Sequence, residues 1–248
     1  METKLKYFDD TYELEGTATV VQIVEGGATD DEALSKALSK YRHAVVLDQT
    51  LFYPQGGGQP ADTGTITIGP AGTEFAVRHV FAHKGLVYHQ GEFASDAQSA
   101  AQGAPAQMRV DRDRRLRNAR CHTGGHVIFS VVRSMEAWGH MRENKGHHFD
   151  DGAYVEFQGI LPPEETVDGF QARIDSVVGR NAPVTVTTRN ATDDGGQPVR
   201  VVQVGDFLHN PCGGTHVTNT SEIGRIVIKK VARRTGQNAT KISYRIEP

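Results

Sequence analysis

Two short motifs, His122-Thr-Gly-Gly-His126 and Cys212-Gly-Gly-Thr-His216, lie far apart in the chain, and each offers two side chains of the kind that ligate metals. On a helix, imidazoles at i and i+4 share one face about a turn apart, which suits two ligands of one ion. In the second motif a thiol and an imidazole flank glycines that let the backbone wrap closely, and the preceding Asn210-Pro211 reads as loop. Zinc favours thiolate sulfur and imidazole nitrogen, and His, His, Cys and His make up one tetrahedral set. Taken singly, each pair fits ordinary core and surface positions. Taken together they point to a Zn2+ site at His122, His126, Cys212 and His216, so the fold must carry a helix and a distant loop to one point. Thr123 stands where the zinc peptidase motif places its Glu, so peptidase chemistry does not apply.

Cys121 and Cys212 are the only cysteines among 248 residues, so no disulfide framework holds the chain together. No apolar run approaches the roughly 18 residues that span a bilayer, and the opening segment METKLKYFDDTYELEG has acids where a signal peptide would be apolar. A soluble cytoplasmic protein with no membrane partner is expected. The net charge of -3 hides two basic clusters, one from Arg109 to Arg120 and one from Arg225 to Arg245. Such clusters are ordinarily solvated faces.

The hydrophobic pattern divides the chain near residue 108. Before it, Thr17–Val24, Ala44–Leu47, Gly64–Ile68 and the series Phe75, Val77, Phe81 read as short strands, which predicts a small barrel or sandwich. One helix interrupts them, with Thr29 and Glu32 as a capping box and Leu34, Leu38 and Tyr41 on one face. The small-residue stretch Ala94–Ala106 reads as a surface connection. Beyond it, Asp113 to about Trp138 and Val167–Val178 read as helices, and Val155–Phe157, Pro183–Thr188, Val199–Val204, Ile223–Ile228 and Lys241–Ile246 as strands. The class is α+β, with a barrel or sandwich domain over 1–108 and an α+β domain over 109–248. Gly124 and Gly125 cost the first long helix about 2 kcal/mol relative to alanine, so packing must compensate.

A third motif, Thr50-Leu-Phe52-Tyr53-Pro54-Gln55-Gly56-Gly57-Gly58-Gln59, is a tight turn or a place where backbone N–H groups approach a ligand. No Lys-Ser/Thr follows the glycines, which argues against a phosphate-binding P-loop. Gly57-Gly58-Gln59 is also the triplet that release factors use on peptidyl-tRNA, although here it lies inside a longer aromatic-rich motif.

The three motifs in this order, with Glu222-Ile223-Gly224 after the last, resemble the free-standing alanyl-tRNA editing proteins of the AlaX type, related to the editing domain of alanyl-tRNA synthetase. The chain departs from that family at Gly124 and Gly125, where larger or more apolar residues are usual, and at Gln55, where an acid is common. Ending at Pro248 without a long extension, it is similar to the medium-length class.

The resemblance implies a small β-barrel followed by an α+β editing domain of the type common to threonyl- and alanyl-tRNA synthetases. The activity it implies is zinc-dependent deacylation of mischarged tRNA-Ala carrying serine or glycine, a task that exists because an alanine pocket cannot reject either strongly. It gives Thr50 the reading of serine's hydroxyl and Gln59 a pocket role, which makes both candidate catalytic residues, with Gly56, Gly57 and Gly58 at the substrate. Arg112, Arg114 and Arg115, just before the metal helix, are the expected phosphate contacts. Two alternatives stay open: editing of Ser-tRNA-Thr, and a non-catalytic RNA-binding adaptor stabilised by zinc.

Overall fold

The computed structural model describes residues 2–25, 31–94, 101–136, 138–190 and 198–247. It divides into two compact units, residues 1–56 with 60–115, and residues 57–59 with 116–248.

The first unit contains β1 (Lys4–Leu5), β2 (Glu15–Glu25), α1 (Glu32–Leu38), β3 (His43–Leu47), β4 (Gln49–Thr50), β5 (Gly64–Ile68), β6 (Thr73–His83), β7 (Leu86–Phe93) and β8 (Pro105–Val110). Six of these strands close an antiparallel barrel in the order β2-β3-β7-β6-β5-β8, while β1 pairs with β4 in parallel. Alternation fills the barrel: Ala106, Met108 and Val110 of β8 point inward, as do Ile66 and Ile68 of β5 and Phe75 and Val77 of β6. Each of these apart from Ala106 contributes about 1.5–3 kcal/mol. A bulge between Val77 and His79 then reverses the parity of β6. Val80 faces the interior in consequence, and Phe81 turns out to stack on Tyr88 at 5.1 Å beside Leu34 and Leu38 of α1. The even spacing of Phe75, Val77 and Phe81 therefore does not place all three on one face.

The observed cap of α1 is Asp31, whose carboxylate accepts the Leu34 N–H at 3.1 Å. Thr29 of the expected capping box lies outside the described residues, and Tyr41 lies past the helix end. Residue 108 falls inside β8, the strand that pairs with both β2 and β5. The segment read as a connection thus ends in a barrel strand.

The second unit contains α2, β9 (Arg142–His147), β10 (Tyr154–Gln158), α3 (Val167–Val178), β11 (Val184–Asn190), β12 (Pro198–Val204), β13 (Asn210–Pro211), β14 (Arg225–Arg234) and β15 (Ala239–Glu247). Helix α2 runs Arg112–Ser134, and its first turn up to Arg115 is counted with the barrel unit. A four-stranded antiparallel sheet has the order β14-β15-β10-β9, and a second sheet the order β11-β12-β13. Val127, Ile128, Val131 and Val132 of α2 share one core with Phe170, Ile174 and Val177 of α3 and with Val155, Phe157, Ile226, Ile228, Ile242 and Tyr244 of the larger sheet. Gly124 fits this packing: a Cβ there would stand 2.9 Å from Ile246 Cδ1, so the bare position lets the helix lie closely on β15 without moving that side chain. No helix among the described residues is long and apolar enough to cross a membrane.

Candidate metal centre

Helix α2 presents His122 and His126 one turn apart, and the loop after β13 brings Cys212 and His216 to them. The donor atoms of these four residues all lie within 4.8 Å of one another. Cys212 Sγ is 3.5 Å from His122 Nε2 and 3.3 Å from His216 Nε2. Tetrahedral zinc with its usual bond lengths sets sulfur-to-nitrogen separations of about 3.5 Å, so the residues fit the ion in number, type and spacing. The three imidazoles are buried and Cys212 is half-buried.

Surrounding groups decide which ring nitrogen faces the centre. Thr215 N–H donates to Gln59 Oε1 at 3.1 Å, which fixes the orientation of that amide. The same oxygen accepts His122 Nδ1–H at 2.6 Å, while Gln59 Nε2 donates to Thr215 Oγ1 at 2.9 Å. His122 Nε2 is left without a hydrogen, its lone pair on the side of Cys212 Sγ. His216 is set in a similar way. Thr123 Oγ1 gives its hydrogen to Ala119 O at 2.8 Å, so it accepts His216 Nδ1–H at 3.3 Å, together with Val217 N–H at 3.2 Å. A partner on the second nitrogen is what holds metal-binding histidines in one tautomer. The Asn210 amide lies 3.2 Å from both His126 Nδ1 and Glu143 Oε2.

Burial makes all three imidazoles poor bases. It lowers His126 to about 4 and holds His122 and His216 well below the ordinary imidazole value, with neighbouring imidazoles and Arg200 adding to the effect. They are therefore neutral near pH 7, the form that binds metal. Cys212 goes the other way. Burial pushes its thiol up to about 11, against an opposing N–H from Gly214 and the charge of Arg200. A cation at the centre is what would ionise it.

Two glycine positions let the loops approach. Gly58, at φ 79°, would place a Cβ 2.3 Å from Gly146 O, and its own carbonyl accepts His148 N–H at 2.8 Å. Gly214 would place a Cβ 2.1 Å from His122 Cε1. Arg200 Nη1 then fastens the metal loop by donating to Cys212 O and Gly214 O, both at 2.8 Å.

Comparison with known proteins shows the family. Residues 2–114 match the family described as tRNA synthetases class II (A), and residues 199–247 match the threonyl and alanyl tRNA synthetase second additional domain. The alanyl-tRNA editing protein AlaX-M of Methanosarcina acetivorans is 32% identical over 256 residues, 95% of this chain and 96% of that protein. Its counterpart in Methanosarcina barkeri is 30% identical over 95% of this chain and 96% of its own length. The chain belongs to the AlaX-M family of alanyl-tRNA editing proteins. An alanine–tRNA ligase of Korarchaeum cryptofilum is 32% identical over 98% of this chain, which spans 26% of that much longer enzyme.

In this AlaX-M family member the structure gathers His122, His126, Cys212, His216 and Gln59, with Gly57 and Gly58 in the same unit. Thr50 and Gly56 belong to the barrel unit. There, His89 Nδ1–H donates to Val45 O at 2.8 Å, so its Nε2 accepts the Thr50 hydroxyl at 2.7 Å, and Thr50 Oγ1 accepts Phe52 N–H at 3.0 Å.

Among the arginines, Arg112 is exposed and Arg114 is tied by its Nε to Ala61 O at 2.8 Å. Arg115 is corrected from the expected phosphate contact: it is 0% exposed and bound to Asp62 Oδ2 at 2.6 Å, Thr11 O at 2.8 Å and Leu51 O, out of reach of a phosphate. Asp62 Oδ2 also accepts Tyr53 N–H at 2.7 Å, so this pair fastens the Leu51–Tyr53 segment. In the second basic cluster, Arg233 donates to Leu161 O, Pro162 O and Glu165 O, and is likewise structural.

Sequence reading missed Thr215, Asn210, Arg200 and His89. The Thr in Cys-Gly-Gly-Thr-His was a signal for the first, while the others lie outside the motifs or only precede one. Thr123 stands out in the sequence solely for not being Glu, yet its hydroxyl accepts His216 Nδ1–H.

Proposed function

We propose that this chain hydrolyses the ester linking a wrong amino acid to tRNA-Ala, acting on Ser-tRNA-Ala and on Gly-tRNA-Ala, with a zinc ion held by His122, His126, Cys212 and His216. The observation that carries the reading is the convergence of those four donors within 4.8 Å, two of them oriented by Gln59 and Thr123, in a chain of the alanyl-tRNA editing family. When bound there, zinc supplies positive charge that draws the pKa of a coordinated water toward about 7 and polarises a carbonyl.

The chain's own residues would do the rest. Gln59 holds His122 with Nε2 toward the centre, and Thr123 does the same for His216. Thr50 is assigned the serine hydroxyl. Its own hydrogen is engaged by His89 and one lone pair by Phe52 N–H, so it meets a serine side chain as an acceptor. Alanine has no donor to offer it. A hydrogen bond of this kind is worth about 0.5–1.5 kcal/mol net, or roughly tenfold at most. Gly56, Gly57 and Gly58 are proposed to lie along the substrate, and Arg112 with Arg114 to meet acceptor-stem phosphates, so affinity should fall as salt rises.

The test is deacylation of Ser-tRNA-Ala, Gly-tRNA-Ala and Ser-tRNA-Thr by the purified protein, with and without a chelator. The expected result is hydrolysis of the tRNA-Ala species, lost on chelation and restored by zinc. Preference for Ser-tRNA-Thr, or full activity without metal, overturns it. One observation favours a second reading, in which the metal is structural and the protein an RNA-binding adaptor: four protein donors complete a closed shell. Under that reading Cys212→Ala unfolds the second unit. Under ours it abolishes hydrolysis while most of the fold remains.

A further inference from the structure

His148 is a buried imidazole that the centre described above does not use. It follows directly on β9 and is 3% exposed. Its ring occupies space that two glycines leave open on two different elements. A Cβ on Gly125 of α2 would stand 2.4 Å from His148 Cε1, and a Cβ on Gly146 of β9 would stand 2.5 Å from His148 Nε2, both closer than real Cβ atoms come. Neither position can carry a side chain while the ring is there.

Two further contacts define its orientation. The His148 ring lies 4.4 Å from the His122 ring with an interplanar angle of 24°, a stacked pair. Tyr244 of β15 gives its hydroxyl hydrogen to Cys121 O at 2.9 Å, so it accepts His148 Nδ1–H at 2.8 Å. Cys121 is the residue before the ligand His122, so the chain of bonds returns to the same turn of α2.

This arrangement is not the cheapest way to fill the space. A mid-helix glycine costs about 1 kcal/mol relative to alanine, and a buried imidazole must find partners for its polar atoms. An apolar side chain at position 125 would incur neither cost. The ring at 148 instead adds a flat surface against His122, whose Nδ1 is already held by Gln59. One contact fixes the direction of the ring nitrogen and the other fixes the plane.

We propose that His148 is a positioning residue for the metal ligand His122, its place opened by Gly125 and Gly146 and its orientation set by Tyr244. The inference rests on the zinc reading above and deepens it.

The experiment uses the full chain stripped of metal and titrated with cobalt(II) alone, then with zinc in competition with a chromophoric chelator. The wild type should take up one cobalt with the visible bands of a tetrahedral thiolate site. His148→Ala and His148→Gln should shift those bands and weaken zinc binding about tenfold, the size of effect that outer groups have on metal sites. Tyr244→Phe keeps the ring and loses the hydrogen bond, so it should shift the bands with a smaller loss of affinity. Gly125→Ala should fold or bind poorly by itself, and adding His148→Ala should recover part of the loss, because the expelled ring is no longer there.

Folded His148 and Tyr244 variants with wild-type bands and wild-type zinc affinity overturn the role, as does a Gly125→Ala defect that His148→Ala leaves unchanged. A wild type that takes up neither metal overturns the centre itself, and this role with it. Should His148→Ala fail to fold, Tyr244→Phe and the glycine pair decide by the same readings.

Discussion

Gln59 offers the sharpest test of how the centre is organised. Its Oε1 accepts His122 Nδ1–H at 2.6 Å and Thr215 N–H at 3.1 Å, and its Nε2 donates to Thr215 Oγ1 at 2.9 Å. Gln59→Leu keeps the volume but leaves two buried donors without acceptors, at about 1–3 kcal/mol each. The Thr215 share falls on stability with or without metal. The His122 share falls on binding, because an imidazole with no partner on Nδ1 no longer keeps Nε2 deprotonated and aimed at the centre. A loss of about 1–2 kcal/mol there corresponds to roughly 5- to 30-fold weaker zinc affinity. Gln59→Glu retains an acceptor for both donors and can take a hydrogen from Thr215, so it should keep most of the affinity. Competition against a chromophoric chelator measures the difference, with circular dichroism as the control for folding. A folded Gln59→Leu variant that binds zinc as tightly as wild type refutes the argument that this amide selects the ligating nitrogen.

Arg115→Ala should destabilise the protein by about 3–5 kcal/mol in denaturant melts, because it strands the buried Asp62 carboxylate; Arg112→Ala should leave stability within about 0.5 kcal/mol and lower the salt dependence of tRNA binding by about one phosphate. Metal-free protein should lose stability as pH falls from about 6.5 toward 4. In that window the unfolded chain protonates histidines that the fold keeps neutral, His89 and His126 until about 4 and His148 until about 3, so the unfolded state binds more protons. Urea melts at several pH values check this, and flat stability between pH 7 and 4.5 contradicts it. Zinc uptake at pH 7 should release about one proton, from Cys212, since its thiol is otherwise protonated and the imidazoles are already neutral; calorimetry in buffers of different ionisation enthalpy counts it. Thr50→Val should reduce the preference for Ser-tRNA-Ala over Ala-tRNA-Ala by up to about tenfold, read from the two deacylation rates.

What the sequence made readable follows from what repeats along it. The residues of the candidate metal centre announce themselves by type and spacing, so His122, His126, Cys212 and His216 could be picked out as a group before any coordinates. Strands with a simple alternation, such as Gly64–Ile68, could be read to the residue. Strand β9, RENKGH, could not, because at the edge of its sheet it carries charge in place of an apolar face. The bulge at Val77/His79 hid the outward turn of Phe81, since spacing in sequence does not register an extra residue in a strand. Arg115 reads like its exposed neighbours, and only the tertiary fold encloses it with Asp62. The roles of Gln59, Thr123 and His148 depend on which groups face them from distant segments, which local pattern does not encode.

The four residues of the candidate centre arrive in two instalments, from α2 and from the loop after β13, with α3 and the strands β9 to β13 made in between. During synthesis the helix alone offers an ion only two nitrogens. On the zinc reading proposed above, loading by all four residues awaits the arrival of His216, so a filled centre would report that translation of this chain has passed that point.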